Sequence, residues 1–204
     1  MNANQMNTGR SYWLAWFLAS VMGFGVGAVL GVSSAYRFFP PDTFDTAHGI
    51  ALGIVMGATG GYFQWVALRE RVAGAGLWGL ASAVGLGSAI GAILAAKLAE
   101  NPAMAGLLVG IVFGLVSGIL QWLILRQKVP QAGWWLLANL LGSLVGTIAF
   151  PIAVAISETG NWILAIIIFG TGFGAGHGAI TGAVLLRLLR QSPTGDIERM
   201  ATAH

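Results

Sequence analysis

Long apolar runs separated by short polar joints set the pattern of this chain. Six stretches stand out, at about 12–31, 48–68, 77–96, 104–125, 134–155 and 162–186. Each reaches roughly the 20 residues that cross a ~30 Å hydrocarbon core as a helix. Helices are expected because backbone groups in lipid have to be bonded within their own segment. The joints are short, and the longest, 32–47, carries Pro40, Pro41 and Asp42. The pattern predicts an all-α integral membrane protein, with six transmembrane helices in a single membrane domain over residues 1–204.

Composition supports this reading. Charged residues make up 8% of the chain, against about 25% in an ordinary soluble protein. Hydrophobic residues make up 56%, and the mean hydropathy is +0.79. So few charges cannot cover the surface of a soluble domain. The absence of cysteine excludes disulfides, thiol catalysis and thiolate metal sites. A net charge of +3 is a weak argument for nucleic acid, and none is expected as a partner.

The placement of charge says more than its sum. Arg10, Arg69, Arg71, Arg126, Lys128, Arg187, Arg190 and Arg199 fall on one side of the expected topology, and only Arg37 and Lys97 on the other. The positive-inside rule then makes both termini cytoplasmic. Trp13, Trp16, Trp65, Trp78, Trp122, Trp134 and Trp135 read as an aromatic belt at the cytoplasmic interface, with Trp162 outside. Arg10 before an apolar run, with Ser33, Ser34 and Ala35 as a cleavage region, also admits a signal-peptide reading. A motif shared with later helices argues that the first helix is a working part.

That motif is W-x-x-A-[SN]-x-x-G. It occurs at Trp16, Ala19, Ser20 and Gly23, again at Trp78, Ala81, Ser82 and Gly85, and again at Trp135, Ala138, Asn139 and Gly142. The second, fourth and sixth helices each carry four glycines at four-residue spacing. The second has Gly49, Gly53, Gly57 and Gly61. The fourth has Gly106, Gly110, Gly114 and Gly118, and the sixth has Gly170, Gly174, Gly178 and Gly182. One shift of 57 residues superposes Gln64-Trp65-x-x-Leu68-Arg69 on Gln121-Trp122-x-x-Leu125-Arg126 and carries Trp78 onto Trp135. In the third copy Thr181 replaces Gln and Gly182 replaces Trp. The chain therefore reads as three tandem hairpins, at about 12–69, 77–126 and 134–187, with a cytoplasmic tail over 188–204. Two-helix units all point the same way, so a pseudo-threefold axis along the membrane normal is expected. Inverted-repeat transporters are built differently.

The segments Gln64 to Trp78 and Gln121 to Trp135 share Q-W-x-x-L-R-x-x-V-x-x-A-G-x-W. This pattern resembles that of uncharacterised multi-pass membrane proteins of cyanobacterial and Chloroflexi-like bacteria. The resemblance covers most of residues 50–150. It implies a bacterial inner or photosynthetic membrane and no established activity.

Glycine ladders of this kind let helix backbones approach closely, through the G-x-x-x-G packing that drives association in lipid. A groove for a flat ligand or lipid chain is the sharper alternative. No Asp, Glu, Lys or Arg lies deep in any span. That weighs against ion-coupled transport and against carboxylate-based hydrolysis. Gln64, Gln121, Thr181, Ser20, Ser82 and Asn139 form a polar layer at comparable depth. It reads as interhelical hydrogen bonding, or else as the inner mouth of a narrow pore. His177 sits near mid-membrane between Gly176 and Gly178. It reads as a structural hydrogen-bonding group, with axial ligation of a haem or chlorophyll-type pigment as the alternative. His48 and His204 support no metal cluster. Pro151 deprives the Thr147 carbonyl of its helical donor and should kink the fifth span. Arg69-Glu70-Arg71 and Arg126-Gln127-Lys128 form a basic rim explained by topology, or by contact with anionic lipid or an acidic partner.

With no catalytic constellation, the expected function is a non-enzymatic membrane scaffold or accessory subunit of a larger membrane complex. The expected partners are the lipid bilayer and other membrane subunits. The alternatives are a small channel for a neutral solute and pigment or haem binding through His177.

Overall fold

The structure, a computed structural model, describes residues 3–38, 46–72, 74–95 and 101–191. Pro40, Pro41, Asp42, Lys97, Arg199 and His204 lie outside the described residues. Among the described residues, seven α-helices account for the spans. They are α1 (Ala3–Phe38), α2 (Thr46–Leu68), α3 (Trp78–Ala95), α4 (Pro102–Leu125), α5 (Trp134–Gly146), α6 (Ala149–Ser157) and α7 (Trp162–Arg190). Among the described residues, six helical spans are long and apolar enough to cross a membrane, α5 and α6 together forming the fifth. Among the described residues there is no strand.

Local sequence explains the helix ends. Asn101 caps α4, its side chain accepting from the Met104 N–H at 3.1 Å, and Pro102 takes the first helical position, where no N–H is needed. Asn161 caps α7 in the same way through Leu164 N–H at 3.4 Å. α1 runs without a break through Ser33, Ser34 and Ala35. Its 36 residues give about 54 Å of helix, more than a bilayer core requires.

The fifth span breaks where Pro151 requires it. Proline has no N–H for the Thr147 carbonyl, which accepts instead from Phe150 N at 3.0 Å, one residue short of α-helical spacing. Thr147 Oγ1 also donates to Leu144 O at 2.9 Å. The chain leaves α5 at Gly146 and resumes as α6 at Ala149.

The joint after α2 and the joint after α4 open with the same hydrogen bonds. Val72 N donates to Leu68 O at 3.0 Å, and Val129 N to Leu125 O at 2.9 Å. Each joint then turns through a left-handed residue, Gly74 (φ 87°) in one and Gln131 (φ 57°) in the other. Glycine adopts that conformation without strain; glutamine does not.

The spans form a closed ring in chain order. Each packs on the next, and α7 packs back on α1. The ladder glycines lie at the contacts between α2 and α3, between α4 and the fifth span, and between α7 and α1.

What each ladder glycine meets differs along the helix. On α2, a Cβ added to Gly53 would come within 2.8 Å of Gly87 Cα, one on Gly57 within 2.8 Å of Ala83 Cα, and one on Gly61 within 2.7 Å of Gly79 Cα. These three face the backbone of α3, whereas Gly49 faces the Leu94 and Ile90 side chains. On α4, a Cβ on Gly114 would come within 2.8 Å of Leu140 Cα, the tightest backbone contact of that ladder. Gly110 stands off slightly, at 3.2 Å from Ser143 O and 3.0 Å from Thr147 Oγ1. Gly118 meets the Asn139 side chain at 3.1 Å, and Gly106 meets Phe150 Cβ at 3.3 Å. On α7, Gly170 and Gly174 meet Gly25 Cα at 2.9 Å and Val21 Cα at 2.8 Å, while Gly178 and Gly182 meet the side chains of Ser20 and Trp16. Each ladder thus combines glycines that admit a neighbouring backbone with glycines that make room for a side chain.

A second set of glycines serves the contacts within each hairpin. Gly23, Gly27 and Gly31 of α1 meet Gly60, Met56 and Leu52 of α2, while Gly142 and Gly146 meet His177 and Phe173 of α7.

Two buried clusters fill the ring. One, at the end bearing the joints after α2 and α4, gathers Trp16, Leu68, Val72, Trp78, Leu125, Val129, Trp135 and Leu185. The other gathers Phe24, Met56, Leu86, Phe113 and Phe173.

Replacing Gly57 or Gly114 with Leu should lower stability by about 1–3 kcal/mol, because backbone atoms must move apart. Val66→Leu, on the exposed face of α2, should change it by less than about 0.5 kcal/mol. Thermal unfolding in detergent reads the difference, and equal midpoints for the three variants would contradict this packing. Gln131→Gly should raise stability by about 0.5–1 kcal/mol by removing left-handed strain, whereas Gly74→Gln should lower it.

Candidate functional site

The polar layer lies between the two apolar clusters, and its side chains join helices around the ring. On α2, Gln64 donates through Nε2 to Ser20 Oγ on α1 at 3.0 Å and accepts through Oε1 from Trp78 Nε1 on α3 at 3.1 Å. The arrangement recurs 57 residues later. Gln121 donates to Ser82 Oγ at 2.9 Å and accepts from Trp135 Nε1 at 3.1 Å. Thr181 takes the corresponding place on α7, where its Oγ1 accepts from Trp16 Nε1 of α1 at 3.0 Å. Asn139 adds a bond from Nδ2 to Gln121 Oε1 at 2.8 Å. The structure thus brings Ser20, Gln64, Ser82, Gln121, Asn139 and Thr181 into one network, and all six are buried.

The hydroxyl protons show why these residue types suit the role. Ser20 donates to Trp16 O at 3.0 Å, Ser82 to Trp78 O at 3.2 Å and Thr181 to His177 O at 2.7 Å. Each hydroxyl directs its proton to a carbonyl one turn back on its own helix. Its lone pairs are then left to accept from a neighbouring helix.

His177 makes the one remaining connection. The Thr181 hydroxyl bonds to α1 and to its own helix, so it does not link α7 to α5 as Gln64 and Gln121 link α2 to α1 and α4 to α3. One turn deeper, Ser143 Oγ of α5 lies 3.4 Å from His177 Nδ1. Ser143 already donates its single proton to Asn139 O at 2.6 Å. The imidazole must therefore donate from Nδ1. With this contact every interface of the six-span ring carries a side-chain hydrogen bond.

Space around His177 does not fit a porphyrin or chlorin. The imidazole is stacked on Phe173, with centroids 5.8 Å apart and planes at 6°, and it meets Phe24 at 5.7 Å and Phe113 at 5.5 Å. The glycines that suggested room are used by neighbouring helices. A Cβ on Gly176 would come within 2.7 Å of Gly146 N, and one on Gly178 within 2.6 Å of Ser20 Cβ. Three phenyl rings and two helix backbones occupy the faces that a macrocycle needs. His48 is buried at the far end of α2 beside Tyr36. Among the described residues no three of His, Cys, Asp and Glu converge as a metal site.

Trp16, Trp78 and Trp135 correct a sequence expectation. They are fully buried rather than part of an interfacial belt. Their rings meet one another at the centre of the ring of helices, with centroids 5.9, 6.0 and 5.3 Å apart. Phe24, Phe113 and Phe173 form a second triangle at 6.1, 5.0 and 5.4 Å. The polar layer therefore sits between two aromatic triangles. The equal 14-residue spacing from Gln64 to Trp78 and from Gln121 to Trp135 was the signal for this pairing. Trp134 and Trp162 remain exposed, and Trp13, Trp65 and Trp122 are partly buried.

No family model, curated protein or solved structure matches this chain.

His177→Leu should destabilise the protein by about 1–2 kcal/mol, since Ser143 loses its partner and the stacked ring is removed. Thr181→Gln should restore part of that loss by supplying the longer amide that α2 and α4 carry. A double-mutant cycle on thermal or denaturant unfolding measures the coupling. An equal cost of His177→Leu with Thr or Gln at position 181 would show that the two positions act independently.

Proposed function

We propose that this chain is a non-enzymatic membrane scaffold or accessory subunit of a larger membrane complex. In this reading three tandem glycine-rich hairpins surround a pseudo-threefold axis. The membrane is a bacterial inner or photosynthetic one, with both termini on the cytoplasmic side. The observation that carries the proposal is the use made of the buried polar groups. Gln64, Gln121, Asn139, Thr181, Ser143 and His177 are all engaged in joining helices. What remains for interaction is the outer surface.

The threefold reading is supported by one contact made three times, from Trp78 to Gln64, Trp135 to Gln121 and Trp16 to Thr181. The orientation is supported by Arg69, Arg71, Arg126, Lys128, Arg187 and Arg190, which are exposed at the joints and at the end of α7. A channel for a neutral solute requires a polar path along the axis. The indole and phenyl triangles stand across that path.

Protein extracted gently from its native membrane should migrate as part of an assembly several times its own mass of 21.2 kDa, and should be colourless. Migration as the bare chain would overturn the subunit reading, and a visible absorption band would restore the pigment reading. Proteoliposomes should be no more permeable to water, glycerol and urea than empty liposomes. Faster flux, lost in Gln64→Leu or Gln121→Leu, would establish the channel instead.

A further inference from the structure

One end of the bundle concentrates cations and indoles together. Arg10, Arg69, Arg71, Arg126, Lys128, Arg187 and Arg190 are exposed there, and Glu70 is the acidic residue among the described residues of that end. Gly9 at the start of α1 lies against the Arg190 side chain, so the first and last helices bring their charges to the same place. At the opposite end the described charges are Arg37 and Glu158, which balance.

Two of the arginines are held in the same way. The Arg69 guanidinium carbon lies 5.8 Å from the centroid of Trp65, and that of Arg126 lies 5.0 Å from the centroid of Trp122. Each pair sits at the end of a helix, α2 or α4, one turn apart along it. Arg71 is held over Tyr12 at 5.3 Å. A guanidinium on an aromatic ring keeps its N–H fork available at the edge, and that fork matches the oxygens of a phosphate. The indoles belong at the level where acyl chains give way to headgroups. The ring therefore fixes the depth of the cation at the phosphate layer.

We propose that this end is a binding surface for anionic phospholipid headgroups, with two equivalent phosphate positions at Arg69 over Trp65 and Arg126 over Trp122. The acyl chains would lie along the outer faces of α2 and α4, which present Tyr62, Val66, Leu115, Ile119 and Leu123 outward. Selection between lipids follows from net charge. A zwitterionic headgroup offsets its phosphate charge with its own ammonium and gains little net attraction to the basic rim, whereas phosphatidylglycerol brings only the phosphate charge. Neighbouring Arg71 and Lys128 strengthen that difference, and salt weakens it over the Debye length.

The test uses the full chain in mild detergent, titrated with phosphatidylglycerol or phosphatidylcholine, with retained lipid read by native mass spectrometry and stability by thermal unfolding. Phosphatidylglycerol should be retained in preference and should raise the unfolding midpoint; phosphatidylcholine should do neither. The Arg69→Gln, Arg126→Gln double variant should lose about fivefold in preference per arginine removed, with unchanged helical content. The Arg10→Gln, Arg187→Gln double variant removes the same charge from the rim, leaves both Arg–Trp pairs intact and should lose much less. Equal retention of the two lipids by the wild type would overturn the proposal and leave an acidic protein surface as the occupant. Equal losses in the two double variants would overturn the two positions. Inorganic phosphate reproducing the midpoint shift would overturn the lipid as ligand.

Discussion

Lipid offers no hydrogen bonds, and the rest of this structure depends on that constraint. A glutamine amide or an indole N–H inside a bilayer either finds a protein partner or costs several kcal/mol. Here the amides of Gln64 and Gln121 and the indoles of Trp13, Trp16, Trp78 and Trp135 find partners on a neighbouring helix. Gln64 is bonded to Ser20 and Trp78 at once, and Gln121 to Ser82, Trp135 and Asn139. Single interhelical bonds in membranes average only about 0.6 kcal/mol, because alternative partners exist in the unfolded state. The belt gains more from direction than from strength. A helix slipped by one residue, or rotated by about 100°, would strand an amide in hydrocarbon. The network therefore selects one register for every helix, while dispersion supplies most of the attraction.

Dispersion in turn depends on the glycines. Apolar side chains give no preference for a helix neighbour over a lipid tail, so helices associate only as closely as their backbones allow. The ladder of α2 meets the backbone of α3 at Leu86, Gly87 and Ala83, and that of α7 meets α1 at Gly25 and Val21. Across the α2–α3 contact the Gln64 carbonyl then accepts from the Trp78 indole at 3.1 Å. Close approach and polar bonding are thus coupled, most directly where Gly61 lies against Ser82 and Gly118 against Asn139. A bulky residue in the ladder would lengthen the hydrogen bonds of the layer beside it, so its effect should exceed the local overlap.

The six spans were legible because hydrophobic length alone specifies a crossing helix, and the break in the fifth span was legible from Pro151 and the geometry of proline. The grouping of Ser20, Gln64, Ser82, Gln121, Asn139 and Thr181 could be anticipated from equal depth on successive helices. What the sequence withheld was rotation about each helix axis. Tryptophan near a helix end has two stable placements, at the headgroup level or buried with its N–H bonded. Trp16, Trp78 and Trp135 take the second because Gln64, Gln121 and Thr181 stand opposite as acceptors. Trp65 and Trp122, one residue beyond the glutamines, stay partly exposed beside arginines. For the same reason the glycines around His177 suggested room for a ligand, when the room is taken by α1 and α5.

Departures from regularity in the last hairpin make sense once the belt is treated as a circuit. A threonine at position 181 still accepts from Trp16, so the contact that closes the ring between α7 and α1 survives the loss of the glutamine. The contact within the hairpin does not survive it, since the hydroxyl is engaged with Trp16 and with His177 O. Asn139 and His177 stand on either side of that gap. Asn139, where α1 and α3 carry serine, turns its amide to Gln121 of α4 and so strengthens the preceding interface. His177 reaches Ser143 one turn deeper and closes the interface that threonine left open. Gly182, where α2 and α4 carry tryptophan, leaves space that Trp13 of α1 occupies, its indole N–H donating to Ala179 O at 3.1 Å. The substitutions that make the last hairpin least like the others are the ones that join it to both neighbours. In lipid a ring of helices is held only as well as its weakest interface, so the chain's most unusual buried residue stands where the regular bond is missing.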